Sequence, residues 1–243
     1  MSRGLFASVA ALAAAAVAAL PAGGTTSSVG LRVAIIGPRA AEAGTWTELR
    51  VDVANLGNEE LKAHATLILP YATTQPGGAT GGICSGTRPV TCDLALPEAA
   101  SRWLTLPVRW LGHGMWSVEA RVRSDATQTS TSLSAASSTT VAVYDLRLSG
   151  LRTTPAQAGG KLVASGTLTR SDTGTALRAQ LLRCPATVGG RAVRAAGRIA
   201  GTRVTCTWAV PAGTSGLSFR GAIAASTHPG GTPTRFPFVR RIG

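Results

Sequence analysis

The chain has 243 residues, with 24 Lys and Arg against 11 Asp and Glu, for a formal net charge of +13 at pH 7. All but two of the basic side chains (Lys62 and Lys161) are arginine, the usage of a GC-rich genome; Asn55 and Asn58 are the only asparagines, and neither opens an N-glycosylation sequon. The length suffices for one large or two ordinary domains once a leader is removed.

The chain opens as a secretory signal. Arg3 supplies a basic start, Leu5 to Leu20 is apolar apart from Ser8, and Pro21-Ala22-Gly23-Gly24 forms a small-residue cleavage zone. The apolar run is shorter than the ~20 residues that cross a bilayer as a helix, and Pro21 ends it. Residues 1–24 are therefore predicted to be a removable signal peptide, leaving a secreted, extracellular or envelope-held protein with no membrane span in its mature part. Four cysteines remain, Cys84, Cys92, Cys184 and Cys206. They permit three connectivities, of which two domain-local pairs are the simplest in an oxidising compartment.

Charge divides the mature chain. Residues 31–145 hold 9 basic and 10 acidic side chains, whereas residues 146–243 hold 14 basic and a single acidic one, Asp172. Such asymmetry marks separate modules.

The hydrophobic period is two throughout. In Thr47–Val53, Leu49, Val51 and Val53 alternate with Glu48, Arg50 and Asp52, the pattern of a half-buried strand. Further strands are predicted at Leu31–Ile36, Ala63–Leu69, Val90–Leu94, Arg102–Trp110, Met115–Arg123 and Thr139–Val143, with a hairpin at Gly112-His113-Gly114. Between Thr127 and Thr140, ten of fourteen residues are Ser or Thr, read as a polar loop leading into the last strand. A second set of strands is predicted at Lys161–Thr169, Ala176–Cys184, Arg191–Ala196, Arg203–Val210, Ser218–Ala225 and Arg235–Ile242, with a turn at Ser171–Gly174. Pro211 and Pro237 belong at a strand end or a sheet edge. Seven short strands in the first half and six in the second, with turn signals between them, predict an all-β chain of two tandem immunoglobulin-like antiparallel β-sandwiches. Module one spans residues 29–145 and module two residues 146–243, joined at Tyr144-Asp145-Leu146 by a short linker.

Three segments carry a family resemblance: Ala43–Gly57, Gly82–Gly86 with Val90–Leu94, and Ser117–Asp125. Residues 43–143 resemble the bacterial conserved-repeat immunoglobulin-like domain of surface proteins and its relative, the cell-adhesion-related domain found in bacteria. The resemblance implies an immunoglobulin-like sandwich with structural or adhesive use and no catalysis. The Ser/Thr tract departs from the Asn-rich turn of that family. An intramolecular Lys–Asn crosslink, found in some surface modules, is not expected, because Asn55 and Asn58 share one turn near Lys62. Module two resembles, more loosely, immunoglobulin-like repeats of exported actinobacterial proteins through Asp172-Thr173-Gly174, Cys184 and Cys206-Thr207-Trp208.

No catalytic, metal or cofactor set is read from the residues. Gly82-Ile83-Cys84-Ser85-Gly86 has the spacing of a nucleophile elbow, but Pro89 forbids the helix that such an elbow needs after it. Thr91-Cys92 and Thr205-Cys206 have the dipeptide of a transpeptidase thiol, which also needs a histidine and an arginine beside it. Of the three histidines, His113 and His228 sit in Gly- or Pro-containing turns and read as solvated, while His64 reads as a satisfied surface residue on a strand. Ala158-Gly159-Gly160-Lys161 lacks the spacing of a phosphate loop, and Leu162 stands where that loop needs Ser or Thr.

Two surface features remain. Parity places Trp46 and Trp103 outward and Trp116 inward; Trp46 and Trp103 should lie roughly 20 Å apart at ~3.3 Å per residue, too far to share one glycan-stacking platform. Trp208 is expected against the second disulfide. Along Gly190–Arg198, alternation sets Arg194 and Arg198 on one side, and Arg235, Arg240 and Arg241 are expected to extend the same anion-attracting patch. The expected role is a non-enzymatic structural or adhesive protein with an anionic cell-wall polymer or another surface protein as partner; the alternative is a binding module that docks on anionic wall polymer, glycan or nucleic acid through the basic second module. Sequence-specific nucleic-acid binding is not expected.

Overall fold

The computed structural model describes residues 25–26, 30–75, 77–126, 131–229 and 231–243. The signal read over residues 1–24, and residues 127–130 of the Ser/Thr tract, lie outside them. Within the described residues the fold is all-β, with no helix long and apolar enough to cross a membrane.

In module one the strands are β1 (Thr25–Thr26), β2 (Leu31–Ile36), β3 (Ala40–Glu42), β4 (Trp46–Asn55), β5 (Leu61–Ile68), β6 (Ala72–Thr74), β7 (Ile83–Ser85), β8 (Val90–Leu96), β9 (Ser101–Trp110), β10 (Gly114–Ser124) and β11 (Ser134–Tyr144). One sheet runs β2-β4-β9-β6; the other runs β1-β11-β10-β5-β8-β7, and β3 adds to β11 in parallel. The first, second and fifth long strands thus face the third, fourth, sixth and seventh, a sandwich of immunoglobulin-like layering in which the fourth has joined the third. Alternation drives the packing: Leu49, Val51 and Val53 on β4 and Leu104, Leu106 and Val108 on β9 are fully buried against Leu67, Val118 and Val122 of the opposite sheet.

Module two begins after one intervening residue, Asp145. Its strands are β12 (Leu146–Thr153), β13 (Lys161–Arg170), β14 (Leu181–Arg183), β15 (Ala186–Val188), β16 (Arg191–Ala192), β17 (Ala195–Ala200), β18 (Arg203–Ala209), β19 (Ser218–Ser226) and β20 (Thr234–Arg241). One sheet is β12-β13-β18-β17; in the other, β14 and β15 are successive pieces of one line along β19, with β20 on its far side and β16 outside β15. This is the four-on-three division of a constant-type immunoglobulin sandwich. Trp208 fills the centre, fully buried, edge-on to Phe219 and to Phe238 at 5.5 Å each.

The structure corrects several expected elements. Ala176–Cys184 forms a strand only over β14; residues 176–180 pass as loop apart from a bridge between Ala176 and Thr169. Arg191–Ala196 is not one strand, because β16 pairs with β15 in one sheet and β17 pairs with β18 in the other. The chain crosses the sandwich at Val193-Arg194. Short strands β3, β6, β7 and β15 carry too few residues for alternation to announce them. Trp116 keeps its expected inward side and packs against the core, though only half-buried: its ring lies 4.1 Å from that of Tyr71, tilted by 30°, and its Nε1–H donates to the Gly112 carbonyl.

Candidate functional site

The most strongly charged surface belongs to module two. Of its 14 basic side chains all except Arg170 are exposed. Arg170 grips the module's only carboxylate, donating from Nε to Asp172 Oδ1 at 2.9 Å and from Nη2 to Oδ2 at 2.6 Å. That fork holds Asp172 below the usual carboxylate range. No second carboxylate side chain within the module is available to the thirteen exposed cations.

Register determines which of them share a face. On β19, Phe219, Ile223 and Ala225 point to the core, so Arg220, Ala222 and Ala224 lie on the opposite face, where Arg220 is exposed and the two alanines are covered. Ala224 lies opposite Arg183 of β14 on one side and Arg235 of β20 on the other. These two arginines flank a small residue, with Cα atoms roughly 10 Å apart across two strand spacings. Arg220 lies four residues along the same face, and Arg241 stands opposite Ser218. Arg183, Arg220, Arg235 and Arg241 therefore stud one sheet face.

The patch expected from sequence is divided. Arg235 and Arg241 belong to this face. Arg240, one residue out of phase, turns to the seam of the sandwich, where its Nε–H donates to Thr153 Oγ1 at 2.9 Å. Arg198 lies opposite Thr205 on the other sheet, whose outer face also bears Arg203, held by Ser165 Oγ at 2.8 Å. Arg194 sits in the crossing between sheets. Arg183 and Arg220 were missed because each lies alone on its strand, and only pairing sets them beside Arg235 and Arg241.

In module one, Trp46 and Trp103 are both about half exposed and share the outer face of β4 and β9. Trp46 pairs with Arg109, and Asp52, six residues farther along β4, pairs with Trp103. The expected separation of roughly 20 Å holds, and the two rings form no common platform. His64 bridges two carboxylates, with Nδ1 2.7 Å from Asp93 Oδ1 and Nε2 3.1 Å from Asp125 Oδ1. The hydrogen bond to Asp93, reinforced by Asp125, raises its pKa from 6.5. His113 is an exposed turn residue, as expected, and its Nδ1 lies 2.9 Å from Asp145 Oδ2 of the linker. The two carboxylates hold opposite edges of the His64 ring, so they do not converge with it on one point.

All three candidate thiols, Cys84, Cys92 and Cys206, are engaged. Cys84 on β7 lies directly opposite Cys92 on β8 and is bonded to it; Cys184 and Cys206, with Cα atoms 5.7 Å apart, bond across the two sheets of module two. None of Cys84, Cys92 and Cys206 thus offers a thiolate. Trp208 Nε1–H donates to the Cys184 carbonyl at 2.8 Å, placing the indole beside the bridge as expected.

The modules meet at a buried polar contact. Glu42 is almost fully buried and accepts a hydrogen bond from Thr227 Oγ1 of module two. Beside it the Arg170 guanidinium lies 4.4 Å over the Tyr144 ring. Burial, with a smaller contribution from Glu42, raises the Tyr144 phenol pKa.

No family model matches this chain, and no curated protein matches it. Among solved structures, it is similar to the CARDB domain of a Pyrococcus furiosus protein in complex with di-metal ions, at 22% identity and a TM-score of 0.35, over 46% of this chain and 86% of that one. It is also similar to a Porphyromonas gingivalis protein of unknown function, at 12% identity and a TM-score of 0.27, over 86% of this chain and 99% of that one.

Proposed function

We propose that this chain is an exported, non-catalytic protein of the cell envelope whose second module holds anionic polymer on its arginine-bearing sheet face, giving it an adhesive or structural role. The observation that carries this reading is the row Arg183–Ala224–Arg235, extended by Arg220 and Arg241, in a module whose only carboxylate is already taken by Arg170. Guanidinium groups on a rigid sheet attract phosphate or carboxylate polymers through a shared long-range field, without reading monomer order. Engagement of all four cysteines in disulfides supports the non-catalytic part. The two disulfides also suit an oxidising compartment, which supports export.

The test uses the mature chain on immobilised heparin and on purified wall polymer. Retention at low salt and release by about 0.5 M are expected, since screening shortens the interaction range well below ~8 Å. A variant with Arg183, Arg220, Arg235 and Arg241 all changed to Ser should elute at distinctly lower salt, and one with Arg50, Arg121 and Arg123 changed to Ser should elute with the parent. Equal elution of all three proteins, or retention indifferent to salt, would refute the proposal.

A further inference from the structure

A second surface, independent of that arginine face, lies where the modules meet. Trp46 opens β4, and its cross-strand neighbour on the same outward face is Arg109 of β9. Arg109 Nε–H donates to the Gly44 carbonyl at 3.0 Å, which fixes the guanidinium beside the indole and leaves both Nη groups outside that bond. The turn after β19 brings His228 across from module two, and a cleft of about 380 Å³ opens between these three side chains. That volume lies within the range of small-ligand sites. The cleft is held from beneath: Thr227, the residue before His228, donates to buried Glu42, and Thr45 Oγ1–H donates to the Glu42 carbonyl at 2.7 Å.

The chemistry of the lining selects a ligand class. Trp46 offers a flat apolar ring, Arg109 a planar donor fork and His228 a third polar edge, while no carboxylate lines the cleft among the described residues. Glu48, the next outward carboxylate on β4, is engaged by Arg50. An indole beside a guanidinium suits a ligand with an apolar C–H face and a carboxylate projecting from its rim. A bare phosphate would leave the indole unused, and a neutral sugar would leave the guanidinium unused. We infer that the Trp46–Arg109–His228 cleft binds a carboxylated saccharide, with the sugar ring on Trp46 and its carboxylate on Arg109.

Trigalacturonic acid is the probe, maltotriose its neutral counterpart and inorganic phosphate the control anion, each titrated into the mature chain by calorimetry and tryptophan fluorescence. Trigalacturonic acid should bind saturably and quench the fluorescence, and maltotriose and phosphate should bind at least tenfold more weakly. Trp46→Ala and Arg109→Gln should each weaken binding at least tenfold; both side chains are exposed, so both variants should melt with the parent. Trp103→Ala, an equally exposed indole on the same sheet face, should bind as the parent does. So should Arg183→Ser/Arg235→Ser, which separates this site from the polymer-holding face. The assignment is overturned by absence of saturable binding, by phosphate binding as tightly as the trisaccharide, by parental binding in Trp46→Ala, or by an equal loss in Trp103→Ala.

Discussion

Asn55 shows how much one side chain does at a strand end. It is buried where β4 stops, and its Nδ2 donates to the carbonyls of Glu59, Leu96 and Pro97 while its Oδ1 accepts from the Gly57 amide at 3.0 Å. One amide thus closes the Asn-Leu-Gly turn and ties it to the end of β8. Asn55→Ala leaves several buried backbone groups without partners and should cost about 2–3 kcal/mol in urea unfolding. Asn55→Asp should cost more, because a carboxylate would face three carbonyl oxygens. His64 supplies a pH-dependent contribution of known sign. Its folded pKa is raised, so its ion pairs stabilise fully below the unfolded value near 6.5, and the contribution is lost as pH rises through the folded value. His64→Gln should therefore be less stable than the parent at pH 5 by a few tenths of a kcal/mol, the scale of exposed pairs, and equal to it at pH 9. A gap that widens with pH would show that Asp93 and Asp125 are not the groups responsible.

At the scale of elements, the two disulfides do different work. Cys84–Cys92 staples the short edge strand β7 to β8 with a sequence separation of 8, whereas Cys184–Cys206 spans 22 residues and clamps one sheet to the other. Loop closure alone predicts about 2.6 kcal/mol for the first and about 3.4 kcal/mol for the second. The second should cost more than that difference implies, since Cys206 is fully buried beside Trp208 and its replacement by Ala leaves a void in the core. Urea unfolding of Cys84→Ala/Cys92→Ala and of Cys184→Ala/Cys206→Ala should rank them in that order; the reverse order would mean that β7 is more integral to module one than its edge position indicates.

At the scale of the molecule, a linker of one residue and a buried Glu42–Thr227 contact set the two sandwiches in a defined relation. Thr227→Val keeps the shape of the side chain and removes the hydroxyl, leaving the Glu42 carboxylate buried without that donor. A loss of about 1–3 kcal/mol should result. It should appear as earlier melting of the junction and as a broader distance distribution in small-angle scattering, with the fold of each module unchanged by circular dichroism. A variant with parental scattering and melting would show that the linker and the Arg170–Tyr144 contact suffice to hold the pair.

Much of this protein was legible in its sequence because the information was local. A period of two along Thr47–Val53 or Lys161–Thr169 states both strand and buried face; the Ser171–Gly174 turn, the Tyr144-Asp145-Leu146 joint and the concentration of charge after residue 145 need no partner to be seen. Strand adjacency is different, because it is settled by residues far apart in the chain. Alternation through Gly190–Arg198 carries no mark of the point where the chain leaves one sheet for the other, so Arg194 and Arg198 looked like neighbours when the sandwich separates them. Arg183, Arg220, Arg235 and Arg241 sit on three strands, and their common face exists only through register with β19. Trp46 was readable as exposed from parity, but its meeting with His228, 182 positions later, depends on how two folded modules dock. Local backbone geometry and burial determined the strands and their faces; long-range hydrogen-bond register and the module junction decided which side chains meet.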